Sequence, residues 1–410
     1  MGRQNFRVLT LASRNIWRNT RRTVITVAAV VFAVTLAIFS WSVKLGEYEQ
    51  MINDALKLYP GHLQVHAKGY WDDKTIYNSF SPPGKLLDFL KKDDRVKAYT
   101  ERLSVDALIS SDTNTSGVLV VGIVPEREFS TVREKIKEGS YLSTGNKDGI
   151  LIGDSLAKNL SVSIGGEITI LTQAYDGSIG AGIFKVSGIY RSGSADFDRS
   201  MAFVDLPAAQ NLLSMDGPVT ELTILLKDSR DTDKQQREIA ALLDPKEYEV
   251  MPWRKLIPDL VQFVDLDNLF GYIYYFLILI VVGFGILNTI LMAVMERYRE
   301  FGVMMALGTR PSQIVRLIVV ESALIALIGI VVGDMVGFAV SYYYTQVPMD
   351  FSMYSQTLEN FGLNPLIYAK MYPWVFYVTD LIILGATLLS SIYPALKASR
   401  LSPVRALRYV

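Results

Sequence analysis

Four long apolar runs divide this chain, over residues 23–43, 268–295, 317–342 and 374–396. At about 1.5 Å rise per residue, a helix through any of them covers a hydrocarbon core of about 30 Å. The second run is bracketed by Asp267 and Glu296 and holds no formal charge across 28 residues. The first is too long for the apolar core of a signal peptide and has no small-x-small cleavage site near its end, so it reads as an uncleaved anchor. Between the first two runs the pattern changes to short periods. Residues 62–66, 105–109, 118–123, 222–226 and 248–251 read as strands. Residues 83–92, opened by proline, together with 206–213 and 234–243, read as helices. Residues 110–204 are rich in glycine, serine and alternating apolar positions. The pattern predicts an α-helical membrane protein with four transmembrane helices and an α+β extracytoplasmic domain inserted between helices 1 and 2. Within that domain, residues 44–109 and 205–267 form an α/β lobe, and residues 110–204 a β-rich lobe.

Basic residues set the orientation. Residues 1–22 carry Arg3, Arg7, Arg14, Arg18, Arg21 and Arg22 without an acid, and the tail 397–410 carries Lys397, Arg400, Arg405 and Arg408 without an acid. The loop 296–316 has Arg297, Arg299, Arg310 and Arg316, whereas the connection 343–373 has Lys370 against Asp350 and Glu359. The bias toward cytoplasmic Arg and Lys puts both termini and the loop 296–316 in the cytoplasm, with residues 44–267 and 343–373 outside. Trp41, Tyr272, Tyr275, Tyr342, Trp374 and Tyr377 then fall at outer ends, where amphipathic rings are favoured. The formal net charge is zero and there is no cysteine, so neither nucleic acid binding nor a disulfide or Cys-metal site is indicated.

Catalytic chemistry finds little support. No G-x-x-x-x-G-K-[ST], G-x-S-x-G or H-E-x-x-H occurs. The glycine cluster 177–182 lacks dinucleotide spacing and reads as a flexible hairpin. His62 and His66 share one face of a strand, but no third ligand accompanies them, so they read as surface or half-buried histidines rather than a metal pair. Asp196 and Asp198 beside Arg199 read as a solvated turn. Gly329, Gly333 and Gly337 recur every four residues on the third run and predict a tight helix–helix interface. Glu321, Asp334 and Asp380 are costly intramembrane acids that each lie near an end of their run, where structural roles and a proton relay both stay open.

The loop between the second and third runs is the most informative segment. It reads Glu296, Arg297, then Glu300, Phe301, Gly302, then Met304, Met305, Ala306, Leu307, Gly308. A short helix here presents Phe301, Met304, Met305 and Leu307 as an apolar contact set with charges at its edges, suited to docking on a partner.

These residues carry a family resemblance. Residues 12–23 (A-S-R-N-I-W-R-N-T-R-R-T), the loop motif followed by Glu321, and residues 393–408 (Y-P-A-L-K-A-S-R-L-S-P-V-R-A-L-R) resemble the FtsX/MacB/lipoprotein-releasing class of ABC-transporter permeases. Residues 149–160 and 163–167 resemble that family's MacB-like periplasmic core, with Gly166-Glu167 where the family usually has Gly-Asp. Residues 60–70 resemble its lipoprotein-releasing branch. The resemblance implies a non-catalytic subunit of the bacterial inner membrane, working as a homodimer or a paralogous heterodimer with two copies of a separate ABC ATPase. ATP and Mg would bind there, and this chain would carry no cofactor or metal. Its cargo would be lipoproteins or another amphiphile, delivered to a periplasmic carrier or adaptor. Phe39, Val43, Tyr275 and Leu279 are the residues whose depth suits lining for acyl chains. The alternatives are an FtsX-like regulator of a periplasmic hydrolase and a MacB-like efflux component.

Overall fold

The computed structural model describes residues 2–18, 20–354 and 364–400. In chain order it contains α1 (Gly2–Arg18), α2 (Thr20–Leu58), β1 (Leu63–Ala67), α3 (Gly84–Lys92), β2 (Val96–Ser110), β3 (Thr115–Ile123), β4 (Ile136–Gly139) and β5 (Gly149–Gly153). Next come α4 (Asp154–Leu160), β6 (Glu167–Gln173), β7 (Ile179–Tyr190), α5 (Ala195–Ser200), β8 (Met201–Asp205), α6 (Leu206–Leu212) and β9 (Glu221–Leu226). The remainder is α7 (Thr232–Leu242), β10 (Tyr248–Pro252), α8 (Trp253–Leu256), α9 (Pro258–Glu296), α10 (Tyr298–Ala306), α11 (Pro311–Gln346), the short pair β11 (Met349–Asp350) and β12 (Leu366–Ile367), and α12 (Pro373–Ser399). Residues 401–408 of the terminal motif lie outside the described residues. The chain divides into two compact units, one helical and one built on a sheet.

In the helical unit, α2, α9, α11 and α12 are long and apolar enough to cross a membrane. Each outruns its apolar stretch. α2 begins at Thr20 rather than 23 and continues past Val43 to Leu58, because Glu47, Glu49, Gln50 and Met51 are good helix formers. α9 begins at Pro258, ten residues before the apolar run, with proline and Asp259 in its first turn where both are favoured. The unit's core gathers Val30, Val34 and Ile38 of α2 with Ile290 of α9, Ile318 of α11 and Ile383 of α12. Inside the connection expected at 343–373, β11 pairs antiparallel with β12.

The sheet unit is organised around β2. The first half of this 15-residue strand pairs antiparallel with β9, with Tyr99 opposite Ile224. Its second half pairs with β3 (Val105 opposite Val120) and with β6 (Ile109 opposite Ile170). The strand order is β10-β1-β9-β2-β3-β8-β5-β7-β4, with β6 joined to β2 and β7. Hydrogen bonding therefore runs unbroken across the lobe boundary expected near residue 109. The pairs β3–β8 and β5–β7 are parallel, the rest antiparallel. Leu86 and Leu90 of α3, Leu156 and Leu160 of α4, Ala209 of α6 and Ile239 of α7 pack with inward strand residues such as Val65, Leu103, Ile152 and Ile224.

Three local readings change. Only Gly177 of the glycine cluster sits in the turn, at φ 82°; Gly180 and Gly182 are strand residues opposite Thr172 and Ile170. A side chain at Gly180 would run into the backbone oxygen of Leu212, 2.5 Å from its Cβ position. His62 and His66 are 4% and 0% exposed rather than surface residues. His66 Nδ1 lies 2.9 Å from the Thr220 carbonyl, and His62 Nδ1 accepts from Leu226 N–H at 3.1 Å. Asp198 sits in the short helix α5 rather than a solvated turn. It is 3% exposed and accepts from Ser192 N–H at 2.9 Å. Burial pushes its carboxyl above the usual range, against the hydrogen bonds from Ser192.

Candidate functional site

The loop helix α10 is closed at its C-terminal end by local chemistry. Gly308 adopts a left-handed φ of 93°, which lets Thr309 N–H reach Met304 O at 2.9 Å and Gly308 N–H reach Met305 O at 3.0 Å. That pair of bonds satisfies the last carbonyls of a helix and needs glycine at the turn. The chain restarts at Arg310, whose N–H donates to Gln313 Oε1 at 3.0 Å ahead of Pro311.

The helix has an inner and an outer side. Phe301 is 0% exposed and Gly302 is buried, so Phe301 does not belong to an outward contact set. It packs in the helical core with the Arg297 guanidinium 5.0 Å from its ring centroid. Met304 and Met305 are half-buried against the same core. The apolar residues that face outward are Val303, Ala306 and Leu307, the last 83% exposed. Their i, i+3, i+4 spacing was visible in the sequence, but a nine-residue helix does not tell which stripe faces in.

Behind α10 lies a chain of four charges. Arg18 of α1 donates from Nη2 to Glu300 Oε1 at 2.7 Å and to Oε2 at 2.8 Å. Arg297 donates to Glu300 at 3.2 Å and to Glu321 of α11 at 2.9 Å. Burial raises the Glu300 carboxyl, but the hydrogen bonds from Arg18 and Arg297 outweigh it and hold the group below the usual range. Sequence places Arg18 among the basic residues of 1–22 and in the motif 12–23 but not against Glu300, which lies 282 residues away. A cavity of about 230 Å³ opens beside the network, lined by Arg18, Arg297, Glu300 and Glu321 and reaching Glu296.

The glycines of α11 lie against α2. A Cβ built on Gly329 would fall 2.6 Å from Val30 Cβ, on Gly333 2.7 Å from Val34 Cβ, and on Gly337 3.2 Å from Ile38 Cβ. Thr35 Oγ1 adds a hydrogen bond to the Gly333 carbonyl at 3.2 Å. The four lining candidates divide between neighbours. The Phe39 ring meets Tyr344 at 5.4 Å, Tyr275 stacks on Trp41 at 5.0 Å, Leu279 packs against the core, and Val43 is half-buried. Trp41 also meets Trp374 at 5.6 Å, so α2, α9 and α12 share one aromatic cluster. Asp334 of α11 and Asp380 of α12 are electrostatic neighbours, and each keeps a buried Oδ1 without a hydrogen-bond partner among the described residues.

The MacB-like periplasmic core domain profile matches residues 23–242, more than half of the chain. The chain belongs to the FtsX/MacB permease family. The profile of the FtsX-like permease C-terminal region matches residues 272–403, which include α10 and, of the network behind it, Arg297, Glu300 and Glu321. Among curated relatives, this permease is 24% identical over 408 residues to the lipoprotein-releasing system transmembrane protein LolC of Neisseria meningitidis serogroup B, covering 94% of each chain. It is 26% identical to the protein of the same name from Xylella fastidiosa, covering 93% of this chain and 92% of that one. It is 22% identical to the macrolide export ATP-binding/permease protein MacB of Pasteurella multocida, covering 94% of this chain but 56% of that protein.

Proposed function

We propose that this permease is the membrane subunit of an ABC transporter that extracts or exports lipoproteins, or a similar amphiphile, from the outer leaflet of the bacterial inner membrane. The observation that carries the reading is end-to-end correspondence with proteins described as lipoprotein-releasing, 94% of both chains in one case. The MacB relative extends well beyond the matched region.

In this reading α2, α9, α11 and α12 cross the membrane with both termini cytoplasmic, and the domain 44–267 is periplasmic. ATP and Mg belong to a separate ATPase present in two copies, and a second permease, identical or paralogous, completes the complex. A periplasmic carrier or adaptor receives the cargo. α10 docks on the ATPase through Val303, Ala306 and Leu307, with Glu296, Met304, Met305 and Gly308 at its margins. Displacement of α10 passes through Arg297 to Glu321 and so to α11, and through Glu300 to Arg18 and α1. Tight packing of Gly329, Gly333 and Gly337 on α2 makes α2 and α11 move together. Phe39, Val43, Tyr275 and Leu279 are the lining proposed for acyl chains. A second reading, a MacB-like efflux component, draws on the core-domain match.

The test is reconstitution of the chain with its ATPase in proteoliposomes holding a triacylated lipoprotein. ATP-dependent transfer of that lipoprotein to a soluble acceptor is the expected result. ATP hydrolysis stimulated by a macrolide but not by lipoprotein would replace this reading with efflux.

A further inference from the structure

Within the sheet unit a cavity of about 480 Å³ opens among the end of α2, β1, β2, β9 and α5. Its size falls in the range of small-molecule sites. One part of its wall is aromatic. The His66 ring stacks on Tyr70 at 4.8 Å, with Trp71 6.2 Å away, and Tyr59 and Phe197 contribute two more rings 6.4 Å apart.

Its charged lining is two acids, Glu221 and Asp106, and one base, Lys74. Glu221 is 4% exposed, and its Oε1 accepts from Tyr59 OH at 2.5 Å and from Ser104 Oγ at 2.9 Å. Both donors are neutral hydroxyls. The guanidinium of Arg102 is already committed, donating to both oxygens of Glu128 at 2.9 and 2.6 Å in a pair that is 0% exposed on each side. His66 supplies no charge. Burial pushes its imidazole below the ordinary value, and both ring nitrogens are engaged, with Thr220 O and Gln64 Oε1. Asp106 adds a second acid to the lining.

Arg102 acts on Glu221 only through space, with its guanidinium 4.4 Å from the Tyr59 ring centroid and bonded to Glu128, so Glu221 makes no direct ion pair among the described residues. A buried carboxylate without a direct ion pair is costly, and aromatic faces attract cations. The chain already demonstrates the attraction: Lys74 places its own ammonium 3.9 Å from the Trp71 ring centroid. We infer that this cavity binds an ammonium group, primary or quaternary, which pairs with Glu221 and lies against the rings of Trp71, Tyr70 and Tyr59. A neutral apolar guest would leave Glu221 without a direct ion pair, and an anion would face Glu221 and Asp106. The inference stands apart from the transport reading, because it depends only on the sheet unit's own side chains.

The test is calorimetric titration of the full chain in phosphatidylglycerol nanodiscs with choline and with its neutral isostere 3,3-dimethylbutan-1-ol. Choline binds saturably and the alcohol does not. Glu221→Gln weakens choline about tenfold, by loss of the charge partner. Lys74→Ala, a change at an exposed side chain, tightens choline binding by removing the internal competitor. Repeating the titration in phosphatidylcholine nanodiscs separates the sources. Loss of the choline signal identifies a bilayer headgroup as the ligand, and its persistence identifies a free amine. Equal binding of choline and the alcohol, no saturable heat with choline, or a choline affinity unmoved by both substitutions overturns the proposal.

Discussion

Arg297 and Glu321 are joined at 2.9 Å, with side chains only 14% and 17% exposed, so the guanidinium that opens α10 is anchored on α11. The same guanidinium reaches Glu300, and through it Arg18. Removing one partner of a half-buried pair leaves the other charge uncompensated, at a cost of about 1–3 kcal/mol. Arg297→Ala and Glu321→Gln are expected to lower the thermal midpoint in detergent and to weaken ATPase stimulation about tenfold, the equivalent of about 1.4 kcal/mol of coupling. Stimulation equal to wild type in both variants would remove the pair from the transmission route.

Glu300 sets an acid limit on the α1–α10 tie. Its folded-state value lies below the unfolded one, so its contribution to stability is fully present above the ordinary carboxylate value of 4.5 and is lost as pH falls through the lower folded value. Between neutral pH and that window the tie holds. A thermal-midpoint series from pH 7 to pH 3 should show a loss on the acid side that Glu300→Gln flattens. An identical pH profile in the variant would count against the assignment.

The outward face of α10 separates docking from folding. Leu307→Asp changes an exposed side chain and is expected to abolish ATPase stimulation while leaving the folding free energy within about 0.5 kcal/mol of wild type, read as an almost unchanged thermal midpoint. Phe301→Ala opens a cavity in the core and is expected to destabilise by about 3–5 kcal/mol. If Leu307→Asp still stimulates its ATPase fully, α10 does not dock through this face.

Gly333 meets α2 too closely for a side chain. Gly333→Leu should force the helices apart at a cost of about 1–3 kcal/mol or more, read as lower thermal stability and easier proteolysis in detergent. Gly285→Leu on α9, where nothing lies within 4 Å of the added Cβ, is the matched control. Equal stability of the two variants would mean that the contact is looser than it stands here.

Some of this could be read directly from the chain and some could not. The four membrane-length helices follow from run length and composition, which act locally. Their ends do not, because residues 44–58 form helix without any membrane signal. The spacing of Gly329, Gly333 and Gly337 is plain in the sequence, but nothing there names Val30, Val34 and Ile38 as the surface they meet. The strands around β2 were recognisable one by one. Their continuity was not, since a single strand changes partners from β9 to β3 and β6 along its length, and such pairing is nonlocal. Phe301 was misassigned because helical periodicity gives a stripe without saying which side is covered. His66 reads as surface or half-buried from sequence because the partners that satisfy it when buried, the Thr220 carbonyl and Gln64, are not specified as inward by the local sequence.

Three glycines meeting three branched side chains at matching four-residue intervals behave like a toothed rack. The teeth of α2 drop into notches in α11 spaced about 6 Å apart. A shift of half that spacing drives each branched side chain against a filled turn, whereas a full step re-seats two of the three. Sliding between these helices is therefore all or nothing. A stroke smaller than one notch has to be taken up by tilting the pair as a single beam.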